Sequence, residues 1–428
     1  MTASTTQLPQ PLTKEPGWLG ALRASALKQF EALPWPHPSD DIWRRTDVSL
    51  LDPSCGFAIS DGPGALQSLP LTDAQLAQFT QPLADEWLAV RADGETISQT
   101  VPSGITVGDL SAEHGDWVQS LMATDGLSEP ERKFTSLNLA HHRRALIVDI
   151  PDGFQGDVPL RLVNLISAKP GVASFPLTLI RVGRGASVRL IHEDVGTSAA
   201  ASVEPHLIHG RIELLVEDGA NAHFFRIQRW AASAREFFLQ RATVRESAQL
   251  NLVSINLGAA VSKTHVIANL VGRHASSHVL GFVFGQGSQH IDFHSLQHHQ
   301  APQTMSDLLY KAALKDRSRM IYTGLIRITK AAQQTDAYQA NHNLMLSPDA
   351  KAETIPMLEI LADDVRCKHG ATVGPVDEEQ LFYLCSRGIE RSLAERLLVM
   401  GFVQPVLDAI GYEPLQQRLH EELEGSLL

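Results

Sequence analysis

The chain has 428 residues, of which 43% are hydrophobic and 20% are charged, a balance typical of a folded globular protein. Lysine and arginine number 36 against 48 aspartate and glutamate residues, so the formal net charge of −12 disfavours a nucleic-acid partner. Residues 1–16 lack a basic and apolar leader pattern and no long apolar run follows, which predicts a cytoplasmic protein without a membrane span.

The N-terminal part of the chain has the pattern of amphipathic helices. Over residues 18–33, apolar side chains recur with a helical period at Leu19, Leu22, Ala26, Phe30 and Leu33. Further helical candidates lie over residues 41–51, 73–90 and 112–122, around a proline-rich break at residues 34–38. The pattern predicts a mainly helical N-terminal domain over residues 1–135.

From residue 144 onward the pattern changes to short β-branched runs separated by turns, which predicts a β core over residues 136–376. A small-residue turn recurs before several strands at Ala186, Ala220, Ala248 and Ala275, with spacings of 34, 28 and 27 residues. Later versions at Ala332, at Ala350 and at residues 363–365 lie closer together. Strand pairs at such a spacing predict the stacked rungs of a β-helix, in which each rung packs only against its neighbours.

The C-terminal part returns to a helical pattern. Asp377 is suited to cap a helix over residues 378–386, with Gln380 three residues later, and Gly388 is a natural terminator. Amphipathic segments follow over residues 392–410 and 414–428. We therefore expect a small helical C-terminal domain over residues 377–428.

The motifs of common enzyme classes are absent from the sequence. It contains no G-x-S-x-G elbow, no H-E-x-x-H zinc motif and no paired C-x-x-C. It also lacks a phosphate-binding G-x-x-x-x-G-K-[ST] loop, so any ATP that the function consumes must be bound by another chain. These absences favour a protein that is not an enzyme by itself.

Histidine is the most informative residue type, because several of the 18 histidines fall in the string His290–His299. The period of a strand would place His290, Asp292 and His294 on one face. Two imidazoles and a carboxylate in that array could hold a divalent metal ion. The alternative is a polar face of the solenoid whose histidines form hydrogen bonds with neighbouring rungs.

A second candidate pair is Cys367 and His369, which strand geometry would place on the same side. A thiolate and an imidazole form a soft ligand pair suited to iron or zinc, but two ligands cannot complete a site. A metal or cluster would therefore have to be shared with other residues or with another subunit. The alternative is a buried structural cysteine beside a hydrogen-bonded histidine.

Three long strings, residues 336–360, 363–374 and 382–389, closely resemble the SufB/SufD family of iron–sulfur cluster assembly proteins. Shorter strings at residues 43–47, 306–311 and 322–326 fit the same pattern, and the likeness is weakest over residues 50–140. Within the family the sequence looks like the SufD branch. Residues 341–346 stand where SufB carries a Cys-Asp-Ser-Leu string, and the SufB-type C-x-x-C is missing.

The resemblance implies a mainly β fold, with a right-handed parallel β-helix core flanked by N-terminal and C-terminal α-helical domains. It implies a scaffold complex of one SufD, one SufB and two copies of the ATPase SufC, in which a transient iron–sulfur cluster forms at the SufB–SufD interface and is passed to apo-proteins. The interface histidine of the family maps onto His369, with Cys367 beside it, and the C-terminal helices map onto the SufC-docking surface. Whether a flavin binds the assembled complex stays open.

Two other classes of function remain as alternatives. A cytoplasmic β-helical carbohydrate lyase or hydrolase could use the His290–His299 cluster with a metal ion, although an aromatic content of 6% is low for a sugar-binding cleft. A purely structural homodimer of the isolated chain would need no metal at all.

Overall fold

The structure is a computed structural model of the chain, and its core is a β-solenoid of about 7 turns. It describes residues 8–9, 15–60, 73–111, 114, 116–167, 169–197 and 204–427. The predicted mainly β fold with helices at both ends is confirmed. The division of the chain at residues 135 and 376 stays a prediction.

The N-terminal part combines helices with short strands. Its elements are α1 (Gly17–Ala32), a 3-10 turn (Val48–Leu51), β1 (Ala58–Ile59), α2 (Asp73–Thr80), β2 (Trp87–Ala92), β3 (Glu95–Thr100), β4 (Thr106–Asp109), α3 (Asp116–Met122) and α4 (Glu129–His141).

Three of the predicted N-terminal helices differ from the structure. The helix expected over residues 73–90 ends at Thr80, because Pro82 has no N–H to continue it, and Trp87 begins a strand that pairs in parallel with Leu160. Residues 41–51 form turns with only a short 3-10 segment at the end. In the helix expected over residues 112–122, α3 begins at Asp116, while residues 112, 113 and 115 lie outside the described residues.

Seventeen further strands of the described chain stack into two sheets. Their bounds are β5 (Ala145–Ile150), β6 (Leu160–Ser167), β7 (Val172–Ser174), β8 (Leu177–Val182), β9 (Ser187–Thr197), β10 (Leu207–Val216), β11 (Asn221–Arg229), β12 (Arg235–Val244), β13 (Gln249–Asn256), β14 (Val261–Leu270), β15 (Ser276–Gly285), β16 (His290–His299), β17 (Met305–Leu314), β18 (Arg319–Ile328), β19 (Thr335–Met345), β20 (Lys351–Ile360) and β21 (Val365–Pro375).

From β8 onward, successive strands belong to the two sheets in turn. The first sheet has the order β20-β18-β16-β14-β12-β10-β8-β5-β4, with β7 beside β10 and β1 beside β7. The second has the order β21-β19-β17-β15-β13-β11-β9-β6-β2-β3. All pairs within the stack are parallel, whereas β3 pairs with β2 and β4 pairs with β5 in antiparallel fashion. The N-terminal end of the stack therefore finishes in antiparallel strands.

The chain passes from the first sheet to the second at a corner that recurs from rung to rung. At this corner a residue with positive φ lies just before a strand of the second sheet. The N–H of each such residue donates to a carbonyl of the following rung, and the residues are Gly185, Gly219, Ser247, His274, Gln303 and Gln334. The small-residue turns predicted at Ala186, Ala220, Ala248 and Ala275 lie at this corner, where the four alanines form a buried column.

The turns predicted at Ala332 and Ala350 do precede strands, namely β19 and β20, but neither alanine continues this column. The column continues through Thr304 and Thr335, which are buried with their Oγ1 atoms 3.1 Å apart. Ala332 lies earlier in the same turn as Thr335, and Ala350 precedes β20 of the first sheet. The corner is held by backbone hydrogen bonds between rungs, so threonine can take the place of alanine there.

Inward side chains form columns that run from rung to rung. In the second sheet, the strand register aligns five buried residues in one column, namely Leu190, Phe224, Leu252, Val279 and Leu308. Each rung buries such side chains against its neighbours, which is the source of stability in a solenoid.

Helical segments cover the outer faces of both sheets. On the second sheet, Phe225 and Val253 pack with Val403 and Leu419 of the C-terminal helices. On the first sheet, the Phe237 ring stacks on Phe134 of α4 at a centroid distance of 4.0 Å, and Trp43 stacks on Phe134 at 4.9 Å. Both faces of these strands are thus buried, which accounts for their nearly continuous apolar runs.

The C-terminal helices are α5 (Glu378–Ser386), α6 (Arg391–Asp408) and α7 (Glu413–Leu427). The predicted cap is confirmed, because the Asp377 side chain accepts hydrogen bonds from the N–H groups of Glu379 and Gln380. Gly388 has a φ of 87°, as expected for a residue that ends a helix. Among the helices within the described ranges, none is long and apolar enough to cross a membrane.

Candidate functional site

The C-terminal end of the solenoid is open. β20 is the last strand of the first sheet and β21 is the last strand of the second, and within the described residues no strand pairs with their outer edges. An edge of this kind presents unpaired N–H and C=O groups that can pair with another chain. Large apolar side chains are also exposed here, with Leu361 59% and Val373 48% accessible. This end is therefore the part of the core best suited to receive a partner.

Cys367 and His369 both lie on this last strand. The strand register aligns Cys367 with Ala337 and His369 with Gln339. The column that contains Leu308 in the preceding rungs continues through buried Gln339 and ends at His369, which is exposed. His369 thus occupies a position that is buried from Leu160 to Gln339, and a partner that continued the stack would bury it.

The two side chains differ in their surroundings. Cys367 is half-buried and packs against a small apolar cluster that contains Ala337 and Ala362. Burial, with the nearby charge of Asp336, raises the pKa of the Cys367 thiol, so at neutral pH the thiol keeps its proton. A metal ion would have to displace that proton, whereas the exposed imidazole of His369 is directly accessible.

The interior just below this last rung is polar. Gln339, Asn341 and Asn343 are buried and face inward in the strand before β21. The Asn343 Nδ2 atom donates to Asn341 Oδ1 at 2.6 Å, and Asn341 Nδ2 donates to the Tyr310 carbonyl at 3.2 Å. The amide pair therefore links neighbouring rungs. The column that ends at His369 therefore turns polar at Gln339, whereas Cys367 lies over the apolar Ala337.

The second candidate array, His290, Asp292 and His294, lies on the outer face of β16. There it is covered by the N-terminal part of the chain. Lys263 Nζ donates to Asp292 Oδ2 at 2.6 Å, and Thr46 Oγ1 donates to the same oxygen at 2.5 Å. His290 is half-buried, with Nε2 3.0 Å from Thr46 Oγ1. Asp292 is therefore neutralised by a lysine, and these three side chains do not converge on one point.

His294 instead meets two residues that the sequence analysis missed, Glu131 of α4 and His265 of β14. One donor atom from each of the three lies within 4.8 Å of the others, and all three residues are buried. The strand register pairs His265 with His294, so knowledge of the repeat would have predicted their contact.

The charges of this buried cluster are set by its surroundings. Burial lowers the pKa of His294 to about 3 and also lowers the pKa of His265, so both imidazoles are neutral at pH 7. Burial alone would raise the pKa of Glu131, but its hydrogen bond and electrostatic interaction with His265 lower that pKa to about 2. A carboxylate and two neutral imidazoles are the forms that bind a metal ion.

An apolar surface lies on the C-terminal helices. Phe382 and Tyr383 of α5 are 75% and 61% exposed, and Leu393 and Leu397 of α6 are also exposed. Phe382 and Tyr383 lie on one helix and Leu393 and Leu397 on the next, and exposed large apolar side chains on neighbouring helices mark a candidate interaction surface. We call these four residues the α5–α6 patch.

Comparison with known proteins identifies similar sequences. A family model for the SufBD core domain of the SUF system for iron–sulfur cluster assembly matches residues 164–402. Similar curated proteins include iron–sulfur cluster assembly SufBD family proteins of Staphylococcus saprophyticus and Staphylococcus haemolyticus, each 29% identical over 300 residues. These residues are 69% of this chain and 64% of each relative, so the chain spans less than two thirds of the length of these relatives.

Proposed function

Because the chain belongs to the SufBD core-domain family of the SUF iron–sulfur cluster assembly system, we propose that it is a SufD-type scaffold subunit without ATPase activity of its own. It works in the cytoplasm, pairs with a SufB-type subunit, binds a SufC-type ATPase and helps to build a cluster that is passed to apo-proteins. The cluster is the cargo of the complex and does not reside in this chain.

The observation that carries the proposal is the exposure of His369 in a column that is otherwise buried. A second β-solenoid that paired with the edges of β20 and β21 would place its own ligands opposite His369 and Cys367. A cluster held between two subunits can be released when the subunits move apart, which a closed set of ligands within one chain does not allow. The ATPase would drive that movement.

The test compares iron and acid-labile sulfide in fully assembled complexes that carry the parent chain or His369→Ala. We expect His369→Ala to leave the fold intact, because the imidazole is exposed in this chain, and to leave assembly intact, because pairing at the edges of β20 and β21 uses backbone groups. The cluster content should fall several-fold. Cys367→Ala should have an equal or smaller effect, since its thiol is protonated and packed. His278→Ala, at an exposed histidine of an earlier rung, is the matched control. Equal cluster content in parent and His369→Ala complexes would refute the site.

The ATPase is proposed to dock on the α5–α6 patch. Deletion of residues 377–428 cannot test this, because it would also remove buried residues such as Val403 and Leu419 from the face of the second sheet. Phe382→Asp is a sharper change, since this ring is 75% exposed and supports no core. We expect it to abolish co-purification of the ATPase, whereas Val271→Asp, at an exposed apolar residue elsewhere, should not. Retention of the ATPase by Phe382→Asp would contradict the docking proposal.

Two other readings make different predictions. A homodimer through the open end would appear in light scattering of the purified chain and would disappear when the SufB-type partner is added.

A carbohydrate-active site at His290–His299 is disfavoured, because Asp292, His294 and His299 are buried and do not line an open cleft. A flavin on the assembled complex would be detected there by its visible absorption.

A further inference from the structure

Glu131, His265 and His294 come together from three separate elements on the outer face of the first sheet. His265 and His294 are register partners on adjacent strands β14 and β16, and Glu131 projects from the first turn of α4. One carboxylate oxygen of Glu131 and one nitrogen of each imidazole lie within 4.8 Å of one another. This cluster is on a different strand and a different sheet from His369, so it is independent of the proposed function.

The buried imidazole of His294 lacks hydrogen-bond partners. Neither His294 Nδ1 nor His294 Nε2 has one among the described residues, although the residue is only 3% exposed. His265 Nε2 also lacks a partner, while His265 Nδ1 lies 2.9 Å from Glu131 Oε1. A buried polar atom without a partner costs about 1–3 kcal/mol, so native proteins rarely leave several such atoms together. The unsatisfied nitrogens therefore indicate that something binds to them.

Glu131 is held so that one oxygen faces the imidazoles. Its other oxygen, Oε2, accepts hydrogen bonds from the Ser128 N–H at 2.9 Å and from Ser128 Oγ at 2.8 Å, in the capping box of α4. Outer contacts of this kind orient the ligands of metal sites. The rings of Trp43 and Phe237 flank His265 at centroid distances of 5.9 and 5.4 Å, and the buried ion pair of Lys263 with Asp292 lies next to the cluster on the same two strands.

We propose that Glu131, His265 and His294 form a buried site for a divalent transition metal ion, zinc or iron(II). Two imidazoles and one carboxylate are a donor set that suits both ions and leaves at least one position open. Metal–ligand bonds of about 2.0–2.1 Å place the donor atoms about 3.3 Å from one another. The donor atoms of the three residues already lie within 4.8 Å of one another, so side-chain rotation brings them to that distance. The ion binds one nitrogen of each imidazole and fastens α4 to two strands of the solenoid.

The experiment uses the full chain with Cys367→Ala and His369→Ala, so that metal at the open end does not contribute. The protein is unfolded with chelator and refolded with Co²⁺ as a spectroscopic probe, with Zn²⁺, or anaerobically with Fe²⁺, because a buried site fills during folding. We expect about one ion per chain after desalting and a higher unfolding temperature than for the metal-free protein. The ion retained in a Zn²⁺ and Fe²⁺ mixture identifies the preferred metal.

Two variants keep the fold while removing a ligand. Glu131→Gln preserves the capping box, in which glutamine also serves, and His294→Phe keeps a ring in an apolar setting while removing two unsatisfied nitrogens. Both should lose the ion and the metal-dependent rise in unfolding temperature, whereas His278→Ala should keep both. The proposal is overturned if the parent holds less than about a tenth of an ion per chain, or if natively folded Glu131→Gln binds as much metal as the parent.

Discussion

Replacing Glu193 with glutamine tests the buried charge network that joins the solenoid to the C-terminal helices. Glu193 of β9 is fully buried and contacts three arginines. Arg229 Nη1 of β11 lies 2.6 Å from Glu193 Oε2, Arg161 Nη1 of β6 lies 3.5 Å from Oε1, and Arg418 of α7 donates to Oε1. The carboxylate therefore balances cations from two neighbouring strands and one helix.

The magnitude follows from the titration of Glu193. Burial alone would raise its pKa, but the charges of Arg229, Arg418 and Arg161 lower it from 4.5 to about 2. A carboxyl pKa lowered by that amount corresponds to roughly 3 kcal/mol of stability. Because the pKa is lower in the folded state, this stability is fully present above pH 4.5 and is lost as the pH falls from 4.5 towards 2.

Removing one member of a buried ion pair typically costs about 3–5 kcal/mol. We expect the lower end for Glu193→Gln, because Arg161 keeps Glu86 at 2.7 Å and Arg229 keeps Glu422 at 2.9 Å. Among the described residues, Glu193 is the carboxylate partner of Arg418. The double variant Glu193→Gln with Arg418→Gln should therefore recover part of the loss.

The assay is chemical unfolding of the parent and Glu193→Gln at pH 7 and at pH 3, followed by circular dichroism. The difference in unfolding free energy should be about 3 kcal/mol at pH 7 and clearly smaller at pH 3. Glu422→Gln is the control, since this carboxylate on α7 is partly exposed and its loss should cost less than about 1 kcal/mol. Equal unfolding midpoints for parent and Glu193→Gln at pH 7, or a difference that does not change with pH, would show that the reasoning is wrong.

Other predictions concern packing, capping and strand content. Gly281→Ala should cost about 1–3 kcal/mol in chemical unfolding, because its Cβ would lie 2.0 Å from the buried Tyr310 ring, whereas Gly401→Ala in α6 has free space and should be neutral or stabilising. A parent-like midpoint for Gly281→Ala would contradict this packing. Ser128→Ala removes the capping box of α4 and should cost about 1 kcal/mol, so an unchanged midpoint would mean that the cap contributes nothing. Far-ultraviolet circular dichroism should show more strand than helix, and a helix-dominated spectrum would contradict the solenoid.

Sequence patterns predicted the solenoid because each strand carries its own apolar run and each turn its own small residues. They failed to predict its period correctly because the corner requires only a positive φ and a hydrogen bond to the next rung. Gly185 and Gly219 signal such a corner clearly, but Ser247, His274 and Gln303 adopt the same conformation without a glycine. The helix predicted over residues 73–90 failed for a related reason, since strand pairing decides the state of Trp87–Ala92.

The two candidate sites differ in how much of their geometry the sequence could predict. Cys367 and His369 lie two residues apart on one strand, so the period of a strand is enough to place them on one side. The contact of His294 with His265 depends on the register between rungs, and that with Glu131 depends on how α4 packs on the sheet. Neither relation is local, which is why the sequence analysis grouped His294 with its strand neighbours.

The two ends of the solenoid are built differently, and this asymmetry bears on the function. At the N-terminal end, antiparallel β3 and β4 finish the sheets, and every residue of β3 is exposed with mostly polar side chains, as expected for an edge that faces solvent. At the C-terminal end, the edges of β20 and β21 are unpaired in the described chain, and Leu361 and Val373 are exposed beside them. An isolated solenoid needs a polar cap at both ends. A solenoid that has one only at the N-terminal end is suited to be completed by another subunit, and His369 lies on the strand that such a subunit would meet.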